Sequence, residues 1–127
     1  MSKSQRQHIE RALASVEADR AANPLNDADI DSLIGDMSSP DAAVRAAALR
    51  QSCPCHVSWD AFERLRKPAQ RLRRDPDSEV RRVALHLEED ARELVEMAAQ
   101  LERMRDGDEA AETRRAARSR RRGPRSR

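Results

Sequence analysis

Two stretches of the chain, Ser39–Ser52 and Asp75–Glu88, repeat one another at an offset of 36 residues, with six identities in 14 positions. The matched pairs are Pro40/Pro76, Asp41/Asp77, Val44/Val80, Arg45/Arg81, Ala48/Ala84 and Leu49/Leu85. A chain that repeats a unit of this length is expected to stack its units, because one unit cannot bury its own apolar face. The matched residues also say what the unit contains. Ser39-Pro40-Asp41 is a helix start. Ser39 can cap the first amides, Pro40 fits the first helical position, where a missing N–H costs nothing, and Asp41 complements the positive end of the helix dipole. Asp75-Pro76-Asp77 repeats the arrangement, and Val44, Ala48 and Leu49 fall at helical spacing.

The rest of the chain is helical in pattern as well. Ile9, Leu13 and Val16 form one stripe from Ser2 to about Ala22, and Asn23-Pro24 ends it. Asn26 or Asp27 can cap a short helix carrying Ile30, Leu33, Ile34 and Met37, weakened near its end by Gly35. Ser58 caps a run with Trp59, Phe62, Leu65, Ala69 and Leu72 on one face, and Pro68 inside it predicts a kink or a split. From Ser78 the pattern is long: Ala84, Ala91 and Ala98, and Leu87, Leu94 and Leu101, each fall seven apart. The first expectation is that this Ala/Leu seam packs inside its own domain, with Ile9, Leu13 and Val16 as partner, and the alternative is homodimerisation through the seam. Asp106-Gly107-Asp108 predicts a break, and residues 113–127, which lack apolar periodicity, are expected to be disordered. With one Trp, one Phe and no Tyr, the chain suits compact helices packed through Leu, Val and Ala, not a sandwich or barrel. The expected class is all-α.

The run Pro40-Asp41-Ala42-Ala43-Val44-Arg45-Ala46-Ala47-Ala48-Leu49 resembles the second helix of HEAT repeats, and the resemblance covers roughly residues 27–89. Cys53-Pro54-Cys55 with downstream Leu85-His86-Leu87 is similar to a group of small bacterial HEAT-repeat-like proteins. The resemblance implies a short helical stack and no particular activity. It also implies that Asp and Arg of adjacent repeats bond across the stack, here Arg45 with Asp77. From the residues alone, Asp41 and Asp77 favour helix starts, and Arg45 and Arg81 are solvated or pair locally. Two repeats are fewer than the three or so that a solenoid needs. The expected organisation is therefore an N-terminal capping helix over residues 1–23, a repeat domain with a long last helix over 27–105, and a break followed by an Arg-rich tail over 106–127.

Charge supplies the functional expectation. The net charge is +2, but residues 113–127 hold eight arginines and no acid, which leaves −6 on residues 1–112. The tail arginines are Arg114, Arg115, Arg118, Arg120, Arg121, Arg122, Arg125 and Arg127. Arginine offers planar, bidentate donors that match phosphate, and a cationic segment gains affinity for a polyanion by releasing counterions. Arginine-rich segments order themselves on RNA. These eight residues are the candidate nucleic-acid contacts, with RNA or the ribosome favoured and an adaptor role implied. The alternatives are a protein–protein module whose tail docks an acidic surface, and a tail that folds back on the acidic body. Cys53, Cys55, His56 and His86 are the side chains that could ligate a metal, but Cys-x-Cys-His without a second Cys pair is poor zinc spacing, so no metal and no cofactor is expected, and a small metal or redox protein using the Cys-Pro-Cys-His loop stands as the third reading. No phosphate loop, nucleophile elbow or His-Glu-x-x-His occurs, and no catalytic residue is assigned. The chain lacks an apolar leader and a membrane-length apolar run, which makes the cytoplasm the expected compartment.

Overall fold

The computed structural model describes residues 2–122, which form five α-helices and one 3-10 turn, with no strand among the described residues. Helix α1 (Lys3–Ala22) begins with a reciprocal box in which the Ser2 hydroxyl accepts from the Gln5 amide and the Gln5 side chain accepts from the Ser2 amide. Helix α2 (Asp27–Asp36) begins the same way with Asn26 and Asp29. Helix α3 (Ala42–Gln51) is followed by the Cys53-Pro54-Cys55 loop. Helix α4 (Trp59–Arg71), capped by Ser58, passes through Pro68 as one helix and tightens into the 3-10 turn Leu72–Arg74. Helix α5 (Ser78–Arg122) is 45 residues long.

The core lies where α2, α3 and α4 meet the first half of α5. Leu49, Val57, Leu65 and Val80 have no or almost no exposed surface, and Phe62 sits among them with Trp59 edge-on at 5.7 Å. Small residues let the helices approach: Ala46, Ala48, Ala61, Ala69, Ala84 and Ala91 are all buried. Of the Ala/Leu seam, Ala84, Leu87, Ala91, Leu94 and Leu101 are buried within the chain, while Ala98 is exposed. Helix α1 lies along the middle of α5 and buries Ile9 there, with Leu13 and Val16 half-covered.

Two hydrogen bonds are alike at the starts of α3 and α5. At the first copy the Ser39 hydroxyl accepts from the Asp41 amide, and Arg45 donates to the Ser39 carbonyl at 2.8 Å. At the second copy the Asp75 carboxylate accepts from the Asp77 amide, and Arg81 donates to the Asp75 carbonyl at 2.8 Å. Two expectations need correcting. The cap of α3 is Asp41, whose carboxylate accepts from the Ala43 amide, and Ser39 instead holds the turn before it. The ion pair across the two copies joins Arg45 to Asp75, not Asp77, with Nε–Oδ2 at 2.9 Å and NH2–Oδ1 at 3.0 Å. Asp77 is engaged as a cap, accepting from the Val80 amide, so the carboxylate two residues earlier takes the guanidinium.

The largest departure is at the C-terminus. The break predicted at Asp106-Gly107-Asp108 does not occur, and α5 continues through it to Arg122 in place of the expected disorder. Extending an existing helix needs no new nucleus, so it requires only residues that propagate. Residues 109–122 are Ala, Glu, Arg, Thr and Ser, mostly good helix formers. Acids come first and arginines last, which suits the dipole, and Arg6 of α1 pairs with Asp108 beside the glycine. The last five positions, including Arg125 and Arg127, lie outside the described residues.

Candidate polyanion-binding surfaces and the cysteine loop

Past Leu101 and Met104, α5 has almost no cover, and Arg114, Arg115, Arg118, Arg120, Arg121 and Arg122 are all exposed. Helical order changes what these residues can do. At 3.6 residues per turn, every one except Arg120 falls within an arc of about 120° around the helix. Among the described residues none of the six has an ion-pair partner, so their charge is not spent on the acidic body.

A second basic surface has no counterpart among the sequence expectations. Lys67, Arg71, Arg73 and Arg74 line a shallow hollow of about 770 Å³ where α4 runs into the 3-10 turn. None of these four cations is ion-paired among the described residues. The signal is present as six basic residues between Arg64 and Arg74, but a helix spreads such a run around its axis. Two of the six are in fact withdrawn. Arg66 grips Glu88 through Nε at 3.2 Å and NH2 at 3.0 Å, and Arg64 pairs with Asp27 at 2.6 Å. The Arg66 guanidinium, helped by Gln70, holds the Glu88 carboxyl below its usual range, as Arg45 does for Asp75.

The third feature is the loop after α3. Cys53 and Cys55 are joined as a disulfide, a pairing absent from the sequence expectation. Pro54 between them is fully buried, and its carbonyl accepts from Arg20 twice, from Nε at 3.0 Å and NH2 at 2.7 Å. The same guanidinium stacks 5.1 Å from the Trp59 ring centre, and Asn23 donates to the His56 carbonyl at 3.3 Å. The end of α1 therefore fixes the loop. His56 places Nε2 3.0 Å from the Gln51 carbonyl and Nδ1 3.3 Å from the Cys55 sulfur. Asp90 of α5 reaches the Cys53 sulfur at 3.5 Å. Arg20, Asn23 and Asp90 carry no local motif, and only the tertiary fold brings them to the loop. His86 is elsewhere, exposed beside Glu89.

No family model, curated protein or solved structure matches the chain. No helix among the described residues is long and apolar enough to cross a membrane.

Proposed function

We propose that this protein is a non-enzymatic adaptor that binds nucleic acid, RNA or a ribonucleoprotein in preference to DNA, through the arginine-bearing end of α5. The observation that carries this reading is the exposed helical extension with six arginines, five along one face and, among the described residues, none engaged by an acid. The extension has no aromatic residue between Glu109 and Arg122, so it offers no ring on which a base could stack, and its arginines suit phosphate contacts that carry no sequence information. The preference for RNA rests on the known use of arginine-rich segments in RNA binding. The hollow of Lys67, Arg71, Arg73 and Arg74 supports a second grip. It lies near the start of α5, while Arg114 is some 36 residues along, a separation of about 54 Å at 1.5 Å per residue. In this reading the HEAT-like pair is the spacer between two polyanion-binding surfaces.

The deciding measurement is binding of the full chain to a structured RNA and to duplex DNA across a salt series. It is compared with an Arg114→Gln/Arg118→Gln/Arg122→Gln variant and with residues 1–112. Log affinity should fall steeply with log salt, and the variant's slope should flatten by about 0.7–0.9 for each phosphate that its side chains no longer neutralise. Equal binding by all three proteins, or none, rejects the reading.

One observation favours a protein–protein module as the second reading. A groove of about 490 Å³ between α1 and α5 is lined by Leu13, Val16, Leu94, Val95 and Ala98, with Val95 58% exposed. Homodimerisation, or docking of the tail on an acidic protein, belongs to this alternative. The concentration dependence of mass in solution tests the former.

A further inference from the structure

We propose that the reduced form of the Cys53-Pro54-Cys55-His56 loop is a binding site for a zinc-class divalent cation, with Cys53, Cys55 and His56 as ligands and Asp90 completing the set from α5. The donor atoms of Cys53, Cys55 and His56 lie within 4.8 Å of one another. In a tetrahedral zinc site, ligands at about 2.0–2.3 Å from the metal stand about 3.2–3.8 Å apart. The His56 Nδ1–Cys55 Sγ distance of 3.3 Å and the Asp90 Oδ2–Cys53 Sγ distance of 3.5 Å both match edges of that figure, while the two sulfurs, bonded to each other in this structure, must part on reduction to form the third.

The decisive detail is the tautomer of His56. A carbonyl can only accept, so the approach of Nε2 to the Gln51 carbonyl at 3.0 Å puts the proton on Nε2. In the neutral imidazole Nδ1 is then left with its lone pair facing the sulfur. Metal-bound histidines are held this way, the far N–H donated to a backbone carbonyl and the near nitrogen free to ligate. The disulfide gives that lone pair nothing to accept from, and gives Asp90 nothing either, because neither bridged sulfur carries a hydrogen. A cation between two thiolates, an imidazole nitrogen and a carboxylate satisfies all four. The loop is already fixed by Arg20 on the Pro54 carbonyl and Asn23 on the His56 carbonyl, so little ordering is left for binding to supply.

The chemistry balances with a dithiol reductant. The reductant's two thiols become its disulfide, the Cys53–Cys55 bond opens to two thiols, and binding of the cation releases their two protons. The bridge and the metal are thus exclusive states of one loop.

The test is titration of the phosphine-reduced full chain with Co²⁺ as an optical stand-in, followed by displacement with Zn²⁺. The expected result is one equivalent of Co²⁺ giving sulfur-to-metal charge-transfer bands and tetrahedral visible bands, both abolished by stoichiometric Zn²⁺. Cys55→Ser and His56→Ala should lose the site, Asp90→Asn should weaken it by about tenfold or more, and His8→Ala and His86→Ala should leave it unchanged. Far-UV circular dichroism checks that each variant is folded. Should Cys55→Ser not fold, His56→Ala decides alone, since it removes only a partly exposed ring. Two titratable thiols with no charge-transfer band overturn the proposal. So do bands that survive His56→Ala, and sulfurs that stay bridged in excess reductant. Unchanged affinity in Asp90→Asn overturns the carboxylate's assignment.

Discussion

Arg45 and Asp75 show how much one residue's neighbours decide. The carboxylate takes two hydrogen bonds from the Arg45 guanidinium and one from the Asp77 amide, with its side chain 5% exposed. Those donors favour the ionised form, so the folded-state pKa lies below the unfolded one. Glu88 is shifted in the same direction by Arg66. A group depressed on folding contributes stability above its unfolded pKa and loses it as pH falls through the folded value. Denaturant melts should therefore show stability dropping below about pH 4. The Asp75→Asn/Glu88→Gln double variant should be less stable at neutral pH and much flatter across the acid range. Core residues follow packing instead: Leu65→Ala, at a site with no exposure, should cost about 2–5 kcal/mol in the same melts.

At the scale of elements, α5 is the informative case. Its first half is held by the core and its last turns stand on their own propensity, so a local change there is visible. Gly107 has open space around the position a Cβ would occupy, and nothing within 4 Å would obstruct it. Gly107→Ala should stabilise the helix by about 0.5–1 kcal/mol, read as slower amide exchange over residues 106–122. If those amides exchange at coil rates in both proteins, the helical extension is wrong. The short helices are easier to place, because Asn26, Ser58 and the Asn23-Pro24 stop act within one turn of where they sit. The start of α3 is ambiguous in the sequence because Ser39 and Asp41 are both good caps, and only the turn geometry chooses Asp41.

For the molecule as a whole, α1 is a clasp on both the long helix and the cysteine loop. It buries Ile9 against α5, and Arg20 bridges the Pro54 carbonyl and the Trp59 face. Removing residues 1–22 should lower the melting temperature, by about 4–8 °C for each kcal/mol of stability removed in a domain near 100 residues. An unchanged melting curve would show that α1 is not part of the cooperative unit. The acidic body and basic helix end also predict strong salt dependence of any polyanion binding, with the hollow of Lys67, Arg71, Arg73 and Arg74 and the α5 arginines contributing separately.

Helix class, the duplicated Pro-Asp starts and the apolar stripes of α2, α4 and α5 were determined by the sequence alone, because capping and 3.6-residue periodicity act over a few neighbouring positions. The arginine cluster was legible for the same reason, as a run of charge. What the tertiary structure decided is whatever joins distant positions. It set which acid Arg45 takes, which cations of the Arg64–Arg74 run are taken by acids, and that a carboxylate 37 residues downstream reaches the Cys53 sulfur. It also carried α5 past Gly107. That continuation depends on a helix already nucleated against the core some 20 residues earlier, a cooperative effect that no local reading of Asp106-Gly107-Asp108 contains.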